Sequence, residues 1–174
     1  MMKNLTTRRL TLRPPRNNDA AFLLRLLNDP DWLRYIGDRG VRTEADALDY
    51  INERLLGSFH RHGFGLWVVE ASGSDTPLGV CGLLKRETLE DVDIGYAFLP
   101  EGRGSGYALE AAQRTLEFAA HELQLPRVVA ITKPENAASS RLLERLGLSF
   151  EQMIDVETDQ PLRLYGIRLA APKR

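Results

Sequence analysis

The chain predicts an α/β fold of mixed α+β order: one domain on a mixed sheet of about seven strands, with about four helices on both faces. Three observations lead there. Short apolar runs of period two are interspersed with longer runs of helical period, so helices fall between strands rather than in a block of their own. Residues 64–99 hold three strand-like runs in succession, the order of a meander. A glycine-rich segment then joins the third run directly to a long helical one. At 174 residues the chain can bury one sizeable core. No repeat, low-complexity tract or linker divides it, so residues 1–174 read as a single domain.

The elements follow in order. Leu10 to Arg13 alternates apolar and polar and stops at Pro14 and Pro15, which makes a first strand. Asn17 to Asn28 is amphipathic, with Asn17, Asn18 or Asp19 as its cap. Pro30 to Arg42 reads as irregular. A second helix opens at Thr43 and runs to about His60, with Leu48, Ile51, Leu55 and Phe59 on one face. Phe64 to Ala71, Leu78 to Lys85 and Asp93 to Leu99 are the meander strands. A helix spans about Ser105 to Leu123, and Arg127 to Thr132 is a buried strand. The last helix, Asn136 to Leu146, closes at Gly147, and Phe150 to Val156 with Leu162 to Leu169 forms a terminal hairpin.

Composition excludes several functions. The net charge is -1 with 27% charged residues, so no basic excess marks a nucleic-acid or anionic-membrane partner. The first residues lack an apolar leader, and the run FLLRLL is too short and too charged to span a bilayer. The lone Cys81 forbids an intrachain disulfide and fits a reducing, cytoplasmic setting; mid-strand and without a neighbouring histidine, it reads as a packed thiol. His60, His62 and His121 lack metal-ligand spacing, so no metal is expected.

The segment EGRGSGYALE, Glu101 to Glu110, carries glycines at 102, 104 and 106 just before a helix. Glycine disfavours helix and costs the most backbone entropy to order, so three in five residues need a reason. Free N–H groups at a helix start, approached without Cβ atoms in the way, make an anion site, and Arg103 adds a charge. A turn that only redirects the chain is the competing reading. A Walker A loop needs a lysine that is absent here. The dinucleotide pattern fails too: its last glycine falls on Tyr107 or Leu109, and no acid ends the next strand.

Arg103, Gly106 and Ala108 match the Q/R-x-x-G-x-G/A signature, and the segment resembles the acyl-CoA loop of the GNAT superfamily of N-acetyltransferases. The opening TRRLTLRPPRNNDA, Leu78 to Leu83, Asp93 to Tyr96, and Asn136 to Ser139 with Leu143 to Gly147 resemble its RimJ/RimL-type subgroup, over about Leu5 to Leu169. The resemblance implies a mostly antiparallel sheet and direct transfer of acetyl from acetyl-CoA to a primary amine, on a protein N-terminus or a small molecule. It implies that N–H groups of Arg103, Gly104, Ser105, Gly106, Tyr107 and Ala108 hold the pyrophosphate. Backbone of Tyr96, Ala97, Phe98 and Leu99, with Asn136, would hold the pantetheine arm, and the Phe98 N–H would polarise the thioester. Asp93 is the first candidate for the general base, since it stands where the family often carries an acid, usually glutamate; Glu87, Glu90 and Asp91 are weaker alternatives nearby. Leu143 replaces a tyrosine that many members use as general acid, and Ser139 is the subgroup's substitute. Trp32 and Tyr35, among Asp29, Asp31 and Asp38, would line the acceptor cleft. A homodimer is compatible with the resemblance. A non-catalytic acyl-CoA-sensing module of the same fold is the alternative to an enzyme.

Overall fold

The computed structural model describes residues 2–156 and 160–170. Its sheet has eight strands: β1 (Leu5–Thr6), β2 (Leu10–Arg13), β3 (Leu66–Ala71), β4 (Pro77–Leu84), β5 (Asp93–Phe98), β6 (Arg127–Thr132), β7 (Ser149–Ile154) and β8 (Leu162–Arg168). Their spatial order is β1-β2-β3-β4-β5-β6-β8-β7. Every neighbouring pair is antiparallel except β5 and β6. That exception follows from the connection, since a helix crosses over between those two strands. The helices are α1 (Ala20–Leu27), α2 (Pro30–Tyr35), α3 (Glu44–Tyr50), α4 (Leu56–His62), α5 (Tyr107–His121) and α6 (Ala137–Leu146). A π-helical turn, Ile51–Leu55, joins α3 to α4, so residues 44–62 run on as one rod.

Alternation along the strands sends side chains to two cores. Val69, Cys81, Leu83, Ile94 and Phe98 pack with Ala111, Ala112 and Leu116 of α5 and with Leu143 of α6. Leu66 and Val80 point the other way, against Leu23, Leu26 and Leu27 of α1 and Ala47 of α3. Trp67, 1% exposed, sits edge-on between Phe59 and Phe118 at centroid distances of 5.6 and 5.2 Å. Each such ring pair contributes about 0.5–1.5 kcal/mol beyond its area.

Three elements differ from the sequence reading. β1 is an added strand, and its two residues are too few to show a period. The segment after α1 is not irregular throughout, because α2 lies inside it. Asp29 caps α2, accepting from the Asp31 N–H at 3.1 Å, and Pro30 takes the first helical position. Asp19 is no exposed cap. A single 3-10 turn, Asn17–Asp19, precedes α1, and the Asp19 carboxylate is buried against Arg13 Nη2 and Nη1 at 2.7 and 2.8 Å. Elsewhere the expected caps hold: Thr43 accepts from the Asp46 N–H at 3.0 Å, and α6 stops at Gly147.

Candidate active site

The site begins where β5 and β6 part. They share one paired position, Asp93 with Val129, closed by a bond from the Val129 N–H to the Val92 carbonyl at 3.0 Å. Beyond it the two strands diverge, and the facing edge of β5 has no strand partner. The antiparallel pattern with β4 decides which groups this edge offers. The Leu99 N–H bonds the Leu78 carbonyl at 2.9 Å, so odd-numbered residues of β5 turn their backbone toward β4. Backbone groups of Tyr96 and Phe98 therefore face the opening. Those of Ala97 and Leu99 do not, which corrects the expectation that all four residues offer backbone there. Of the two that do, the Phe98 carbonyl accepts from Arg103 Nε at 3.0 Å, which leaves its N–H for the cleft.

The glycine segment closes the far end of this opening. Gly104 and Gly106 have φ values of 80° and 79°, a conformation that costs other residues roughly 1–2 kcal/mol. Gly102 is needed for a different reason: a Cβ there would lie 3.0 Å from the Leu78 carbonyl. Among the described residues the N–H groups of Gly104, Ser105 and Gly106 have no hydrogen-bond partner. Those of Tyr107 and Ala108 belong to the first turn of α5, where no intrahelical acceptor exists. The Arg103 N–H differs, because it bonds the Pro100 carbonyl at 3.2 Å. The loop is braced from outside. Glu110 accepts from Arg9 Nε at 2.7 Å and Thr7 Oγ1 at 2.5 Å, and Arg9 Nη1 holds the Ser105 carbonyl at 2.8 Å.

Three candidate side chains lie at the start of β5 and in the first turn of α6. Asp93, 1% exposed, accepts from Arg86 Nε at 3.1 and 3.2 Å. Burial pushes its carboxyl up to about 6, although Arg86 pulls it down. Asn136 caps α6 through its Oδ1, 3.2 Å from the Ser139 N–H. Ser139 Oγ lies 2.8 Å from the Tyr96 hydroxyl, so β5 and α6 meet through a pair of hydroxyls.

Comparison with known proteins places this architecture. Residues 9–149 match the acetyltransferase (GNAT) domain family. The chain belongs to the GNAT family. It is 31% identical to the uncharacterized protein YkkB of Bacillus subtilis over 164 residues, 92% of this chain and 93% of that one. The uncharacterized N-acetyltransferase p20 of Bacillus licheniformis is 31% identical over 159 residues, 88% of this chain and 86% of that one. The fold is shared with RimL, the ribosomal L7/L12 alpha-N-protein acetyltransferase solved with coenzyme A. Its TM-score is 0.83 at 16% identity, over 98% of this chain and 100% of that one. The protein is thus an acetyltransferase with the GNAT fold.

Within the GNAT frame, several sequence expectations change. The Arg103 guanidinium is turned away from the loop, with Nη2 2.7 Å from Asp29 and Nη1 3.2 Å from Asp31. It anchors the loop to the start of α2 rather than adding a free charge. Asp29, Asp31 and Asp38 are all paired with arginines, so they form no open acidic lining. Trp32 is 6% exposed and packs with Leu26, Val41 and Leu99, which makes it core rather than cleft wall; Tyr35 is half-buried. Asp91 pairs with Arg127, and Glu87 and Glu90 are exposed, so Asp93 alone of these acids is buried at the strand start. Burial pushes the Cys81 thiol up to about 12, consistent with a packed thiol. Among the described residues no cluster could hold a metal, and no helix is long and apolar enough to cross a membrane. Sequence reasoning missed Arg86 and the Tyr96 hydroxyl. Arg86 stands seven residues before Asp93 across a turn, and Tyr96 meets Ser139 over a separation of 43 residues.

Proposed function

We propose that this GNAT enzyme transfers acetyl from acetyl-CoA directly to a primary amine of modest basicity, a peptide α-amine before a small-molecule amine. The observation that carries the reading is the parted β5–β6 edge, with Tyr96 and Phe98 backbone open toward unpaired loop N–H groups. The N–H groups of Gly104, Ser105, Gly106, Tyr107 and Ala108 would hold the pyrophosphate. The open edge of Tyr96 and Phe98 would pair with the amides of the pantetheine arm, helped by the Asn136 amide. The Phe98 N–H would carry the charge that develops on the thioester oxygen as the amine attacks.

The basicity of the amine supplies the argument about the acceptor. A carboxylate whose conjugate acid titrates at about 6 takes a proton from an α-ammonium near ~8 with a shortfall of about 2 units. For a lysine side chain near ~10.4 the shortfall is about 4 units, roughly 3 kcal/mol worse. That difference comes from the amines themselves and holds for any base, so an α-amine is the easier acceptor for a weak base such as Asp93. The carboxylate is buried behind Arg86, so the proton would reach it through water. Near α2, Asp29 and Asp31 share Arg103 and Asp38 pairs with Arg42, so these acids are engaged in ion pairs.

The test incubates the protein and acetyl-CoA with N-terminal peptides, lysine peptides, polyamines, amino acids and aminoglycosides, and reads products by mass spectrometry. Acetylation at the α-amine of peptides is the expected result. Exclusive acetylation of lysine side chains or polyamines would overturn the choice of acceptor.

A further inference from the structure

The departing CoA sulfur needs a proton, and the structure points to where it comes from. We propose that Tyr96 donates it, with Ser139 holding the phenol in place, so that the two hydroxyls work as one unit. The inference rests on the acetyl-transfer reading above.

Four observations support it. Tyr96 Oη and Ser139 Oγ are 2.8 Å apart, and the Ser139 carbonyl is 3.4 Å from the same Oη. With Ser139 Oγ–H donating to Oη, the phenolic proton is free to leave its loose contact with that carbonyl. Ser139 is itself fixed, because its N–H is tied to Asn136 in the cap of α6. One turn further along α6, Leu143 is apolar and 1% exposed, so it offers no competing donor. Lastly, Tyr96 belongs to the strand edge that faces the opening, on the α5 and α6 side of the sheet. It pairs with Cys81 on β4, and both pack in the core beneath α5.

Chemistry favours the phenol over the serine as the donor. A phenol is a far stronger acid than an aliphatic hydroxyl, so of the two paired groups the phenol is the better proton donor. Burial pushes the Tyr96 phenol upward, so it is protonated throughout the neutral range. The balance is simple. The amine nitrogen bonds to the thioester carbon, the C–S bond breaks, and the sulfur leaves with the electron pair. The sulfur takes the phenolic proton, the Ser139 hydroxyl supports the phenolate, and solvent returns a proton to Tyr96. The proton lost by the amine leaves separately toward Asp93 or water.

Tyr96→Phe, Ser139→Ala and the double variant test this, with acetyl-CoA and any acceptor the wild type uses. Tyr96→Phe should lower kcat by about 10² while the KM for acetyl-CoA holds within about threefold. Ser139→Ala should lower it less, and the double variant should be no slower than Tyr96→Phe alone. A binding readout stands apart from turnover: calorimetry with CoA and with desulfo-CoA. The wild type should prefer CoA several-fold and Tyr96→Phe should lose that preference. Should no amine be acetylated, the acceptor reading fails on its own. The pair is then read by acetyl-CoA hydrolysis, followed as free thiol, with the same order of rates expected. Unchanged kcat in Tyr96→Phe overturns the proposal, as does equal preference for the two ligands in the wild type. If Tyr96→Phe is unfolded by circular dichroism, Ser139→Ala decides alone: an unchanged rate and an unchanged CoA preference overturn it.

Discussion

Residue by residue, the site is tuned through burial more than through net charge. Asp93 shows this best, because its raised titration carries a stability consequence with a definite sign. The native chain binds at Asp93, between about pH 4 and 6, a proton that the unfolded chain releases. Stability from this group is therefore present at low pH and is lost as pH rises to about 6, a cost on the order of 3 kcal/mol at neutral pH. Asp93→Asn removes that cost and leaves Arg86, which is 35% exposed, free to reach water. Thermal melts at pH 7 should show the variant no less stable than the wild type, and its advantage should shrink toward pH 4. Its acetylation rate should fall by about 10², and the acid limb of the pH–rate profile near 6 should vanish. A variant with full activity and an unchanged profile would remove Asp93 from proton transfer. The position of Asp93 was legible in the sequence, since it precedes an Ile-Gly-Tyr run at a strand start. Its partner was not, because Arg86 lies on the preceding turn and nothing local marks which way that turn folds. Trp32 was misplaced for a related reason: an aromatic residue in a loop-like stretch reads equally as cleft wall or as anchor, and only packing decides.

The loop and the helices show how far local rules reach. Gly104 to Gly106 could be read from sequence because left-handed backbone and ligand approach both demand glycine, and α2 could have been found from Asp29 and Pro30, a cap followed by a first-turn proline. β1 could not, because two residues carry no periodicity. The reading of the loop gives a paired prediction. Gly104 and Gly73 have φ values of 80° and 81°, and a methyl group added to either would meet nothing within 4 Å. Alanine at either position should therefore cost the same strain, about 1–2 kcal/mol, in denaturant unfolding. Only Gly104→Ala should weaken acetyl-CoA, raising its KM about tenfold with kcat nearly constant, because only there does the methyl stand where phosphate oxygens would approach. Equal KM values for the two variants would mean that the loop is a turn and nothing more.

At the scale of the whole molecule, the proposed mechanism would have β5 divide the work of the reaction between two faces of one sheet. Alternation sends Asp93 to the side of Val80, Ala97 and α1, while Tyr96 turns toward α5 and α6. The Phe98 N–H lies between the two sides, on the strand edge itself. The cleft exists because β5 and β6 meet at one position and then part, a feature of long-range pairing that no window of sequence displays. The loop end is tied to α1 and to the start of α2 by Arg25 with Glu101 and by Arg103 with Asp29 and Asp31. On the proposed mechanism the two proton transfers would fall to different residues, whose Cα atoms lie roughly 10 Å apart at about 3.3 Å per residue along the strand. Groups that far apart without shared partners act additively, whereas groups in contact do not. The free-energy losses of Asp93→Asn and Tyr96→Phe in kcat should therefore add in the double variant to within about 0.5 kcal/mol. Tyr96→Phe with Ser139→Ala should fall well short of additivity. Strong coupling across the sheet between Asp93 and Tyr96 would show instead that one proton path serves both ends of the reaction.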